Sequence, residues 1–254
     1  GLSLPIGGGR RAAGGYLALA VNLAMLALSL VALFGYLAPA YARPPSFAAD
    51  AGLPNPTDIR FDSFVALRGY SVDAESARPG EPIDIELYWE VIARPPGDYL
   101  LFVHLIDEAT GALVSQRDTH PGLGNFPSSQ WQPGDRFVER LSLYVPETAY
   151  VPGVAELRMG LYAPEGYRLG VTDGATGAGL GDSFSLGEVS LEPADLAAVL
   201  PNAGRYLFED RFRLAGYAYD RRVLGPADSL GVTLFWGAMH DYDGGVDGQV
   251  RVLD

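Results

Sequence analysis

The residues best suited to chemistry gather in the stretch Thr119–Asp135. Here His120, Phe126 and Trp131 stand among Gly, Pro and Ser. Exposed aromatic rings on a loop can stack on the apolar C–H faces of sugars, which makes these three the candidate ligand-binding (sugar) residues. The competing reading is structural. Aromatic rings bury large areas, and Trp131 would then anchor a long loop over the end of the fold. Asp241, Asp243 and Asp247 with Gly244 and Gly245 offer oxygen ligands of the kind calcium takes. Their spacing does not match an EF-hand, so a solvated turn is the simpler reading. His104 lies inside an apolar run and reads as a structural histidine.

Other chemistries find little support. The chain has no cysteine, which removes disulfides, cysteine–zinc sites and thiol catalysis. Three histidines without ligand spacing do not make a zinc site. No G-x-S-x-G nucleophile elbow occurs, and Gly7–Gly9 lacks the strand and helix context of a phosphate loop. No catalytic residue, metal site or cofactor is therefore expected. A net charge of −13 argues against nucleic acid, whose phosphates need basic partners.

The charge is unevenly placed. Residues 1–45 hold Arg10, Arg11 and Arg43 and no acid, while the rest carries 15 Arg against 31 acids. From Tyr16 to Ala38 the chain runs uncharged for 23 residues. As a helix this spans roughly 35 Å, enough to cross a hydrocarbon core of about 30 Å. Tyr16 and Tyr36 stand near its ends, where aromatic rings prefer the interface, and Pro39 is expected to stop the helix. Arg10 and Arg11 predict a cytoplasmic N-terminal side, with residues 43–254 extracytoplasmic on a bacterial cell membrane. The rival is a cleaved signal peptide with Ala40-Tyr41-Ala42 as its site, but signal cores are shorter.

Self-similarity organises the remainder. Residues 54–107 align without a gap onto 201–254 at an offset of 147, with 13 identities in 54 positions. The identities include Pro54/Pro201, Asn55/Asn202, Phe61/Phe208, Gly69/Gly216, Trp89/Trp236 and Asp107/Asp254. Core-type residues repeat and exposed ones diverge, as two copies of one fold would. The expected organisation is a cytoplasmic flank and transmembrane helix (1–42, spanning 16–38), a juxtamembrane stalk (43–53), a first module (54–195), a linker (196–200) and a truncated second module (201–254). Trp89 and Trp236, on repeated strand positions, are expected in the cores. The chain begins at Gly1 rather than Met and ends within a strand-like pattern, so a longer parent is expected.

Strand patterns are dense. Ile83–Trp89, Phe137–Tyr144 and Ala155–Tyr162 alternate, Tyr99–Asp107 is a longer apolar run, and Ala112–Arg117 and Ser183–Leu191 add two more. Pro-Gly pairs at 79–80, 96–97, 133–134 and 152–153 punctuate them as turns. The fold class is mainly β: immunoglobulin-like sandwich modules behind one N-terminal transmembrane helix.

These elements resemble the C-terminal extracytoplasmic region of bacterial GT-C superfamily membrane glycosyltransferases, similar to dolichyl-phosphate-mannose–protein mannosyltransferases. The matching stretches are Pro39–Pro45 (PAYARPP), Leu67–Tyr70 (LRGY), Pro79–Trp89 (PGEPIDIELYW), Leu101–Asp107 (LFVHLID), Asp118–Gly134 (DTHPGLGNFPSSQWQPG) and Gly160–Tyr162 (GLY). In that family the catalytic acid lies in an upstream helical bundle, so no catalytic residue carries over to this chain. The resemblance implies a non-catalytic accessory region bound to the bilayer through residues 16–38, with a glycan or lipid-linked sugar as partner. The alternatives are a stand-alone membrane-anchored cell-surface or adhesion protein, and a carbohydrate-binding module.

Overall fold

The computed structural model describes residues 8–193, 200–202, 206–209, 211–226 and 228–239. The acidic stretch 241–247 and most of the expected linker lie outside these. The chain divides into two units, Gly1–Pro44 and Pro45–Asp254.

The first unit is helical. Helix α1 (Gly8–Val31) continues through a π-helical turn (Ala32–Leu37) and one last α turn (Ala38–Ala40). Its span Gly15–Ala40 has a mean hydropathy of 2.5, and none of that window is buried. A soluble protein's core helix would be mostly buried. The two polar side chains in the span bond within the helix: Asn22 Nδ2 donates to Ala18 O at 2.9 Å and Ser29 Oγ to Met25 O at 2.8 Å. Such internal bonding lowers the cost of placing them in lipid. The helix ends at Ala40, one residue past Pro39. The wide turn ahead of the proline accommodates a residue that lacks an N–H and crowds the preceding turn.

The second unit is built from strands. β1 (Ile59–Phe61), β2 (Val65–Val72), β3 (Ser76–Ala77), β4 (Pro82–Val91), β5 (Leu100–Asp107) and β6 (Leu113–Thr119) come first. β7 (Arg136–Tyr144), β8 (Gly153–Tyr162), β9 (Val171–Asp173), β10 (Gly179–Gly181) and β11 (Phe184–Leu191) follow. One sheet has the order β10-β9-β1-β2-β4-β7 and the other β3-β11-β8-β5-β6. Strand β4 shows why the layers form. Ile83, Ile85, Leu87, Trp89 and Val91 are buried and the residues between them are not. Their side chains meet Leu101, Val103 and Leu105 of β5 and Leu157 and Met159 of β8 in one core. Each such side chain contributes about 1.5–3 kcal/mol by leaving water. Trp89 meets the Phe61 ring edge-on at 5.3 Å, so its partner is aromatic as well as aliphatic.

The stretch expected as a stalk lies on this sandwich from Pro45 onward. Val138 N–H of β7 donates to Pro45 O at 2.8 Å, and Phe47 packs edge-on against Tyr88 at 5.6 Å. Tyr70 N–H then donates to Pro54 O at 3.1 Å.

A third sheet has the order β12-β13-β14: β12 (Tyr206–Phe208), β13 (Phe212–Tyr219) and β14 (Val232–Ala238). The 147-residue offset relates its contacts to those of β1, β2 and β4. Tyr217 N–H donates to Pro201 O at 3.1 Å, as Tyr70 does to Pro54, and Asn202 Nδ2 donates to Tyr217 O as Asn55 Nδ2 does to Tyr70 O. Bulges fall at Leu67/Gly69 and at Leu214/Gly216. Phe208 and Trp236 meet at 5.3 Å, the separation of Phe61 and Trp89. Burial differs. Trp236 is 50% exposed where Trp89 is 1%, which corrects the expectation that both are core. Among the described residues no second sheet lies over Trp236.

The shared glycine has a steric cause. A Cβ on Gly69 would stand 2.7 Å from Pro54 O and 3.0 Å from Leu53 Cβ. Backbone cannot give way as a flexible side-chain tip can. Gly69→Ala is therefore expected to destabilise the sandwich by about 1–3 kcal/mol. A urea midpoint equal to the parent's would show that the Leu53–Pro54 segment moves aside freely.

Candidate functional site

The loop between β6 and β7 is built around its aromatic residues. Trp131 is fully buried and Phe126 is 4% exposed. Trp131 Nε1 donates to Phe126 O at 3.0 Å, and both rings lie 5.2 Å from the Phe137 ring of β7. Ser128, also buried, accepts Tyr99 N–H at 2.8 Å and donates to Gly97 O at 3.2 Å. Asp98 accepts Ser129 N–H at 2.8 Å. The Ser129 hydroxyl and N–H hold the Asp98 carboxyl below its ordinary range, outweighing burial. Of the three candidate sugar-stacking residues, only His120 is exposed. Phe126 and Trp131 present no ring face to solvent, so the three do not form one binding surface. Their packing matches the structural reading of the loop.

A residue absent from the sequence reading pins the same loop. Glu139 of β7 points into the core and is 1% exposed. Its Oε2 accepts Gly122 N–H at 2.5 Å, and Leu123 N–H also donates to the carboxylate. Gly122 and Leu123 both sit at positive φ, 68° and 52°, a tight turn that points these amides inward. Oε1 has no hydrogen-bond partner. Burial raises the Glu139 carboxyl above its ordinary value of 4.5, partly opposed by the two backbone amides and by Arg117.

A raised folded-state value gives stability that is fully present below about 4.5 and is lost as pH rises through the folded value. Glu139→Gln keeps an acceptor for the two amides without the charge. It is expected to gain on the parent as pH rises from 4 to 8, read as the difference in urea midpoints. A constant difference across that range would mean that Glu139 is not raised.

Beside the loop, an open groove of about 450 Å³ crosses the solvent face of β2, β4 and β7. Asp84 and Glu86 of β4 and Arg140 and Ser142 of β7 line it, with Arg117 of β6 and Leu123 of the loop at its side. Arg140 Nε donates to Glu86 at 2.8 Å, and Tyr88 O–H donates to Glu86 at 2.7 Å. The Tyr88 hydroxyl lowers the Glu86 carboxyl, with Arg140 adding to the effect against burial. Arg117 Nη1 donates to Ser142 O at 3.1 Å, and Ser142 O–H donates to Asp84. The wall thus alternates fixed donors and acceptors on a rigid sheet. Such a surface can read hydroxyl groups by paired hydrogen bonds. Leu123, 52% exposed, offers an apolar contact at its rim. Among the described residues no group of three or more His, Cys, Asp or Glu side chains could hold a metal.

His104 is half-buried on β5, its ring 4.7 Å from Phe102, and burial lowers its value. This fits a structural histidine.

Helix, sandwich and groove together define a class: a β-rich protein with, among the described residues, one helix long and apolar enough to anchor it in a bilayer. No family model matches the chain, and no curated protein matches it. Among solved structures it is similar to the C-terminal domain of Wzt. That match has a TM-score of 0.37 and 12% identity, covering 58% of this chain and 90% of that one.

Proposed function

We propose that the chain is the extracytoplasmic accessory region of a membrane glycosyltransferase, together with a transmembrane helix. Its first sandwich holds a glycan or lipid-linked sugar in the β2–β4–β7 groove. The observation that carries the binding role is the groove wall, where Arg117, Arg140, Glu86, Asp84 and Ser142 present fixed hydrogen-bonding groups beside the apolar Leu123. Arginines at the wall also suit the phosphate of a lipid carrier. The link to a glycosyltransferase rests on the motifs from Pro39–Pro45 to Gly160–Tyr162 alone. Residues 201–254 then begin a second sandwich, whose inner face carries Phe208 and Trp236.

The test uses the full chain in lipid nanodiscs, titrated calorimetrically with a panel of bacterial surface oligosaccharides and their lipid-phosphate forms. Saturable binding is expected, weakened at least tenfold by Arg140→Ala or Arg117→Ala and unchanged by His120→Ala. No saturable binding by the parent would remove the binding role. The parent gene tests the enzyme link: an open reading frame without a multi-helix catalytic region would remove it.

A further inference from the structure

Where the third sheet meets the first sandwich, five side chains form a compact joint. Asp107, at the end of β5, has a side chain 2% exposed, and Arg222 Nη2 lies 2.6 Å from its Oδ2. The same guanidinium lies over the Tyr150 ring, 4.1 Å from its centroid. Tyr150 in turn stacks on Tyr219, centroids 5.7 Å apart and planes 7° from parallel. Next to them Asn202, 5% exposed, accepts Val151 N–H at 2.6 Å through Oδ1 and donates to Tyr217 O at 3.0 Å. Charge, stacking and backbone hydrogen bonding therefore meet at one spot. The first sandwich supplies Asp107, Tyr150 and Val151, and the following segment supplies Asn202, Tyr219 and Arg222.

The internal repeat gives this joint a direction. At the 147-residue offset, Asn202 corresponds to Asn55, but Tyr219 corresponds to Val72 and Arg222 to Glu75. The first module thus lacks the aromatic and the cation, and an acid stands where the cation would be. The socket acid is kept instead: Asp107 corresponds to Asp254. We propose that Asp107, Tyr150 and Val151 form a docking socket for the leading edge of another module of this same kind. Tyr219, Arg222 and Asn202 are the matching plug. The plug marks a module that follows another, and residues 54–107 keep its asparagine but lack its aromatic and its cation. A buried carboxylate requires the cation, the stack fixes the rotation, and the Asn202 bond fixes the register. Modules joined in this way keep one mutual angle. None of this depends on what the groove binds.

The chain has no cysteine, so two can be introduced as unique labelling sites. Ser185 and Ser229, both exposed and on opposite sides of the joint, become Ser185→Cys and Ser229→Cys in the full chain in nanodiscs. Distances between spin labels at these positions are then measured. A single narrow distribution is expected. Arg222→Ala and, separately, the double change Tyr219→Ala with Asn202→Ala should each broaden it at least twofold. The blue-shifted tryptophan emission of the buried Trp89 and Trp131 should stay at the parent's, showing that the first sandwich remains folded. A broad distribution in the parent, or variants as narrow as the parent, would overturn the proposal. Glycan affinity measured on the same samples separates this outcome from the groove's.

Discussion

Trp131→Ala is expected to be among the most damaging single changes in the first sandwich, at about 3–5 kcal/mol. The indole is fully buried, packs on Phe126 and Phe137, and bonds Phe126 O through Nε1. Removing it leaves a cavity at the sandwich end and takes one donor away from Phe126 O. The loop of residues 119–135 then loses its anchor, although Glu139 still holds Gly122 and Leu123 from below. The measurement is chemical denaturation of the parent and the variant, with ligand titration alongside. If Trp131 stacked on sugar instead, the variant would keep its stability and lose only affinity. Comparable stabilities would therefore refute the packing role directly.

Arg222→Ala is the second large effect. It removes the cation from a carboxylate that is almost wholly buried, and breaking such a pair costs about 3–5 kcal/mol. Arg222→Ala with Asp107→Asn should recover part of this loss, because the amide leaves no unpaired charge. Burial pushes the Asp107 carboxyl up, but hydrogen bonds from Thr110 and Arg222 outweigh it, so the net shift is downward. The contribution is therefore present above the ordinary value of 3.8 and is lost as pH falls through the lower folded value. This is opposite in sign to Glu139. Urea midpoints from pH 7 down to 2 should show the gap between parent and Arg222→Ala closing only at the acid end. A gap that stays constant down to pH 2 would show that Asp107 carries no charge in the joint.

Much of the architecture was legible because it is periodic. The uncharged run from Tyr16 marked the helix, and alternation marked β4, β7 and β8 within one to two residues. The short strands β1, β3, β9 and β10 were missed, since two or three residues carry no period, and so was the eight-residue β2, whose buried run Val65–Leu67 and bulge at Gly69 break the alternation. Burial was less legible than strand formation. Trp131 stands among Gly, Pro and Ser, where nothing local tells a core ring from an exposed one. Its depth is set by Phe137, on a strand that local spacing does not tie to the loop. Trp236 shows the reverse error: its strand position repeats Trp89, but burial needs a second layer, which the three strands among the described residues do not supply. Glu139 was hidden because its alternating position reads as an apolar site with one odd residue. The ion pair of Asp107 and Arg222 joins residues 115 positions apart, and no local pattern links the two.

The chain between the helix and β1 has a mechanical consequence. Pro45, Phe47 and Leu53 are attached to the sandwich one after another, at Val138, Tyr88 and Gly69. A pull from the N-terminal side meets these attachments in sequence, not together. Release of the nine residues Pro45–Leu53 frees a segment that spans at most roughly 30 Å when fully extended, at 3.3–3.6 Å per residue. Tension is thus absorbed as slack before any strand of the sandwich bears load.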